Sequence, residues 1–252
     1  MKKITKKTLW ISLLLVSVII TIGFYCFYAY VGNYYEANNS ATRALQNSDN
    51  VTVEFINKKD AVVFKPKEAK VGIIFYSGAK VEYTAYAPLL HAFAENGILC
   101  LAPNLNFNLA IFDQNAAGKY REMYPEIEKW YMAGHSMGGV FASKYAAKHS
   151  DEFEGVILLA AYSSVDLSDT NLNVISIYGT EDKVLNMKTY NDRLENLPKD
   201  YQEVVIDGGN HAYFGSYGPQ AGDGQALITN DEQIKTTVDN VVQLLQLKIG
   251  GS

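Results

Sequence analysis

Cysteine is scarce in this sequence. Cys26 and Cys100 are the only two, the first in an apolar N-terminal run and the second in a predicted strand. An intradomain disulfide framework is therefore not expected, although a low count leaves the compartment open. Histidine is nearly as rare, with four in 252 residues. No His, Cys, Asp and Glu spacing suits a metal ion and no glycine loop suits a phosphate, so no metal and no other cofactor is expected. Acidic residues are missing before Glu36, whereas Lys2, Lys3, Lys6 and Lys7 crowd the N-terminus. The formal charge of −5 includes those four lysines, so the remainder carries −9. An acidic body of this kind argues against a nucleic-acid partner. There is no internal repeat and no low-complexity segment, and nothing reports an oligomeric state.

What is present begins with a run, Leu9 to Val31, that is almost wholly apolar or aromatic and carries no charge. As a helix rising 1.5 Å per residue it can cross a hydrocarbon core of roughly 30 Å. The lysines before it and Glu36 and Arg43 after it put the N-terminus in the cytoplasm and the rest outside. A cleaved signal peptide is the rival reading, but its apolar region is usually about 7 to 15 residues and ends in small residues. Here the run ends in Tyr25, Phe27, Tyr28 and Tyr30, which suit a membrane interface. The expected division is a basic cytoplasmic tail over 1–8 and a single-pass anchor over 9–31. A polar tether or short helix over 32–50 and one extracytoplasmic domain over 51–249 follow.

With hydrophobic residues at 48%, the composition is that of a globular protein, and the part beyond the run is long enough for one large core. Val51–Ile56 and Ala61–Phe64 read as a hairpin around Asn57 to Asp60. The continuous apolar run at 71–76 reads as a strand buried on both faces, 98–102 as the next buried strand, and 128–133, 156–161, 174–178 and a shorter 203–206 as further strands. Helical spacing appears between them, with Tyr86, Leu89, Leu90 and Phe93 on one face, and again in Ile234, Val238, Val241 and Leu245. Alternation of this kind predicts an α/β fold: a mostly parallel sheet covered on both faces, with the first hairpin as an antiparallel edge. Residues 103–125 read less clearly, with a helix expected around 115–123.

The chemistry centres on Gly134-His135-Ser136-Met137-Gly138-Gly139, between a predicted strand and a predicted helix. Gly-x-Ser-x-Gly at such a junction sets the serine on a sharp turn with its hydroxyl exposed, the nucleophile elbow. Serine needs a base, and the base needs a carboxylate. His91 lies within a helix upstream; His135 adjoins Ser136, where neighbouring side chains point apart; His149 ends the following helix, where a histidine is favourable in any case. His211 remains, in a Gly-rich loop directly after a strand, where parallel-sheet proteins place their ligands. For the carboxylate, Glu181 and Asp182 both follow the strand ending at Tyr178, Asp166 follows the preceding strand, and Asp207 is too close to His211 in sequence to reach its ring easily.

From Val51 onward the chain resembles a small α/β-hydrolase of the serine esterase and dienelactone-hydrolase type. The resemblance rests on residues 134–139, on Gly179-Thr180-Glu181-Asp182-Lys183-Val184, and on Gly208-Gly209-Asn210-His211. It favours Asp182 as the acid and gives the order Ser136, Asp182, His211 found in that fold. It also implies an oxyanion hole from the backbone N–H groups of Met137 and Ala79, although Ser77 stands where that family often has histidine. The activity implied is hydrolysis of an ester or related acyl bond through an acyl-enzyme, with an acyl or ester substrate as partner. Acyl transfer or peptide cleavage by the same triad is the alternative, and a tethered non-catalytic binding protein is the rival from another class. The short span between the strands at 156 and 174 leaves no room for a large cap domain, so an open site is expected.

Overall fold

The computed structural model describes residues 6–57 and 60–249. It divides into two units, Met1–Tyr34 and Tyr35–Ser252. In the first, helix α1 spans Lys6–Gly32, 27 residues long. At 1.5 Å per residue that is roughly 40 Å, long and apolar enough to cross a membrane. A signal sequence would meet the same test. Its two central hydroxyls bond back into the helix, Ser17 Oγ to the Leu14 carbonyl (2.8 Å) and Thr21 Oγ1 to the Ser17 carbonyl (2.9 Å), so neither is left unpaired in an apolar setting.

The second unit starts at Tyr35, sixteen residues ahead of the boundary expected at Val51. The stretch 35–50 is polar in composition, yet it is built into the fold rather than being a free tether. Tyr35 N–H donates to the Lys80 carbonyl (2.7 Å), Glu82 N–H donates to the Tyr35 carbonyl (2.9 Å), and Asn38 N–H donates to the Ser216 carbonyl (2.9 Å). The Asn38 side chain caps helix α2 (Asn39–Ala44) by accepting from Ser40 and Ala41, and Ala41 is wholly buried. His91 fastens the end of this helix through its Nδ1, which donates to the Ala44 carbonyl (2.8 Å).

An eight-stranded sheet follows. The strands are β1 (Val51–Ile56), β2 (Ala61–Pro66), β3 (Val71–Tyr76), β4 (Ile98–Pro103), β5 (Lys129–His135), β6 (Gly155–Leu159), β7 (Asn173–Gly179) and β8 (Gln202–Ile206). Their order is β1-β2-β4-β3-β5-β6-β7-β8. The β1–β2 hairpin is antiparallel and forms the edge; from β4 onward every pairing is parallel. β3, β4 and β6 are fully buried and carry no charged residue because both faces are covered, and successive residues serve opposite cores. In β3, Ile73 and Phe75 pack with helices α3 (Ala87–Glu95) and α7 (Asn230–Ile249). Ile74 and Tyr76 face the other side, with α4 (Ala117–Arg121) and α5 (Met137–Lys148). Only turns occupy 160–172 between β6 and β7, so no cap domain is inserted there.

The segment 104–116, hard to read in the sequence, is two 3-10 turns, Asn106–Asn108 and Ala110–Phe112. They carry Phe107, Ile111 and Phe112, each at least two-fifths exposed. Phe107 and Phe112 meet edge to face at 5.5 Å, and the Asn108 carbonyl accepts from Lys80 N–H (2.8 Å). The expected helix over 115–123 is shorter, Ala117–Arg121. Another, α6 (Met187–Asp192), is capped by Asn186, which accepts from Thr189 N–H.

Candidate active site

Ser136 stands between β5 and α5 with φ 53° and ψ −125°, a conformation that L-residues adopt only under constraint. The constraint is packing of main chain on main chain. A Cβ on Gly138 would lie 2.2 Å from the Tyr76 carbonyl oxygen, and one on Gly134 would lie 2.5 Å from Gly138 C. Bare backbone at both positions lets the first turn of α5 sit directly on the end of β3. Ser136 N–H is held by the Leu159 carbonyl (2.9 Å), and its hydroxyl does not cap the helix it begins. Ser136 lines a cavity together with His211, and the two side chains are not hydrogen-bonded to each other.

Asp182 lies in the turn after β7. One carboxylate oxygen, Oδ1, accepts from Val184 N–H and Leu185 N–H (both 2.8 Å). The other, Oδ2, pairs with His211 Nδ1 at 2.8 Å, with both side chains 1% exposed. A carboxylate fixed in this way makes Nδ1 the protonated ring nitrogen, leaving a lone pair on Nε2. His211 Nε2 is buried and makes no hydrogen bond among the described residues.

Several elements fix the His211 loop. Glu181 N–H donates to the Gly209 carbonyl (2.8 Å), joining the acid's turn to the histidine's loop. Gln233, fully buried on α7, grips Asn210 at both main-chain groups, accepting from its N–H (2.9 Å) and donating to its carbonyl (2.8 Å). Asp223 accepts from the N–H groups of His211 (3.2 Å), Ala212 (2.9 Å) and Gly224 (2.8 Å). Asp223 and Gln233 escaped the sequence reading; the triplet Gly222-Asp223-Gly224 was the local sign of a tight acidic turn.

His135 has a role that its place in the sequence hides. Its ring turns away from the cavity and packs behind His211, with centroids 4.5 Å apart. Its Nδ1 shares a 2.8 Å hydrogen bond with the Tyr86 hydroxyl, which also accepts from Gly78 N–H (3.0 Å). Donation of the tyrosine proton to Nδ1 satisfies the Gly78 N–H, the hydroxyl and Nδ1, while His135 Nε2 is buried with no hydrogen bond among the described residues. Burial holds His135 well below the usual histidine value; the adjacent His211 ring adds to this and the His211 main chain opposes it. Burial likewise pushes the Tyr86 phenol up.

Met137 and Ala79 flank this arrangement. Met137 opens α5, where the first amides have no partner within the helix and the helix dipole favours negative charge. Ala79 follows Gly78 in the loop after β3, against which Gly138 packs. Neither the Met137 N–H nor the Ala79 N–H donates a hydrogen bond among the described residues.

The other titratable candidates have separate duties. Asp166 is exposed and accepts from Ser168 N–H and Oγ, which hold its carboxyl below the usual range. Asp207 reaches Thr180 Oγ1 (3.4 Å), and His149 stacks on Tyr145 (4.3 Å) and donates to Glu152 (3.0 Å). No cluster of His, Cys, Asp and Glu suited to a metal ion occurs among the described residues.

Residues 72–235 match the alpha/beta hydrolase family model, and the chain belongs to that family. No match is found among curated proteins. Among solved structures, the chain is similar to Est1E from Butyrivibrio proteoclasticus, at 13% identity and TM-score 0.57, over 80% of this chain and 100% of that one. It is similar to dienelactone hydrolase from Anabaena variabilis at 12% and 0.58, over 77% and 96%. A soluble variant of monoglyceride lipase from Saccharomyces cerevisiae, in complex with a substrate analogue, aligns at 12% and 0.57 over 80% and 96%. Likeness at these identities establishes the fold.

Proposed function

We propose that this protein is a serine hydrolase that cleaves an ester or related acyl bond. The observation that supports the reading is the buried His211–Asp182 pair, with His211 lining the same cavity as Ser136. In the first half-reaction Ser136 Oγ attacks the acyl carbon and its proton passes to His211 Nε2. Asp182 keeps the ring oriented and stabilises the imidazolium. The negative charge that develops on the carbonyl oxygen is met by the N–H groups of Met137 and Ala79, each donor typically worth about 3 kcal/mol. Collapse expels the alcohol, which takes the proton from Nε2. Water then gives its proton to Nε2 and attacks the acyl-enzyme. The acid leaves as the proton returns to Ser136 Oγ.

The apolar helix α1 supports a second part of the proposal. It is an uncleaved anchor in the cell membrane, with the hydrolase unit on the extracytoplasmic side. The four N-terminal lysines and the absence of acidic residues before Glu36 favour that orientation.

A fluorophosphonate probe tests the chemistry. It is expected to label the wild-type chain at Ser136, and to fail on Ser136→Ala and His211→Ala variants that retain their circular dichroism. Folded wild-type protein that takes no label, or a Ser136→Ala variant with full turnover, would refute the mechanism. Alkaline extraction of membranes tests the anchor, which requires the chain to stay in the pellet.

A further inference from the structure

The cavity at Ser136 holds more information than the reaction class. It measures about 380 Å³ and lies between the first turns of α5, the end of β6 and the turn 184–186. Met137, Val140, Phe141, Ala161, Val184 and Leu185 supply most of its wall, and Ile111 reaches it from the exposed 3-10 turn. Its polar members are largely committed. His211 and Ser136 belong to the proposed reaction, and the Asn186 side chain accepts from Thr189 N–H as the cap of α6. Tyr162 contributes a phenol.

Among the described residues, no Asp, Glu, Lys or Arg lines the cavity. Asp182 lies behind His211 with its oxygens taken by Val184, Leu185 and the ring. Lys144 Nζ rests 5.2 Å from the centre of the Phe141 ring but is not a lining residue. A carboxylate entering here would lose its water and gain no cation in exchange. An apolar group gains burial against branched and aromatic side chains.

From this we infer that the site selects uncharged esters carrying one apolar group of moderate size, and rejects esters whose equivalent group ends in a carboxylate. The inference rests on the hydrolase reading above and names its substrate class. At about 380 Å³ the cavity lies at the small end of ligand pockets. That accommodates a medium alkyl chain or a single ring with a short linker, and it is too small for a full-length fatty acyl chain to be enclosed.

The test is a set of model esters hydrolysed by the full-length chain. One series lengthens the acyl side, from p-nitrophenyl acetate to p-nitrophenyl palmitate, and a second lengthens the alcohol side in alkyl acetates. In one of the two, kcat/KM is expected to rise about fourfold per methylene and then level or fall beyond roughly ten carbons. Whichever series responds identifies the side of the ester that the cavity holds. A hemisuccinate is expected to react at least 100-fold more slowly than its neutral methyl-capped counterpart. Val140→Phe, which narrows the cavity, is expected to move the optimum to shorter chains. If Val140→Phe does not fold, protection of wild-type Ser136 from phosphonate labelling by the same esters gives the same ranking.

A flat response in both series, or a hemisuccinate as good as its neutral counterpart, would overturn this inference while leaving the hydrolase reading intact. Absence of both labelling and ester cleavage would remove the hydrolase reading, and this inference with it.

Discussion

The ring of His135 lies 4.5 Å from that of His211, centroid to centroid, so two histidines of opposite duty are in contact. One donates from Nδ1 to Asp182 and lines the cavity; the other accepts at Nδ1 from Tyr86. A charge on His135 would oppose the imidazolium that the proposed reaction forms next to it. Burial disfavours that charge.

The depressed value of His135 has a consequence for acid stability. In the unfolded chain a histidine takes up a proton near pH 6.5, whereas His135 in the fold does not until the pH is much lower. Between those two values the unfolded state binds more protons, so stability falls as the pH falls. The loss should approach about 1.4 kcal/mol per pH unit below 6.5, and is absent above it. Urea midpoints at pH 7.5, 6 and 5 are expected to fall less steeply for His135→Gln than for wild type. Parallel slopes would mean that His135 is already protonated in the fold.

Tyr86→Phe removes one oxygen and leaves two buried partners unpaired, Gly78 N–H and His135 Nδ1. A loss of about 1–3 kcal/mol is expected, read as a lower urea midpoint at unchanged m-value. Because Gly78 precedes Ala79, turnover should fall by more than KM rises. A neutral result in both measurements would mean that the hydroxyl is replaced by water.

Ser136→Gly should abolish phosphonate labelling and raise stability. At φ 53° and ψ −125° serine is strained, and glycine is not. The entropy that glycine adds to the unfolded chain offsets part of the gain, leaving about 1 kcal/mol. Thermal melting at neutral pH checks it; a lower Tm than wild type would contradict strain at this position.

Removal of the chain up to Tyr34 should leave the melting temperature of the hydrolase unit unchanged, whereas removal up to Asn50 should lower it sharply. The second cut deletes the hydrogen bonds of Tyr35, Asn38 and Ala44, at roughly 1 kcal/mol each, and uncovers the surface on which Ala41 packs. Equal melting of the two shortened chains would show that 35–50 adds nothing to the fold.

What could be read from the sequence followed its strongest local signals. β3 and β4 are unbroken apolar runs because both faces are buried, and Gly134-His135-Ser136-Met137-Gly138 marks a strand–helix junction that the structure contains. Parallel topology followed from alternation. A short helix was among the readings of 32–50, and Asn39–Ala44 is one; its attachment to the domain was not legible, because Tyr35 is fastened chiefly through main-chain groups of Lys80 and Glu82, which any residue could supply. Gln233 lies 23 positions from Asn210, and Asp223 looks like a solvated loop acid until the turn folds over the His211 amides. The contact of His135 with His211 joins residues 76 positions apart and is set by the sheet order, which no neighbouring residue announces.

The boundary at Tyr35 has a bearing on the protein's life in the cell. Only Asn33 and Tyr34 separate the end of α1 from the first residue whose main chain is bonded into the hydrolase unit. A protease cutting at this junction would break no hydrogen bond of the catalytic fold. Retention at a membrane and shedding as a diffusible enzyme would thus be alternatives that the fold itself does not choose between, and the outcome would rest with the cell's processing machinery.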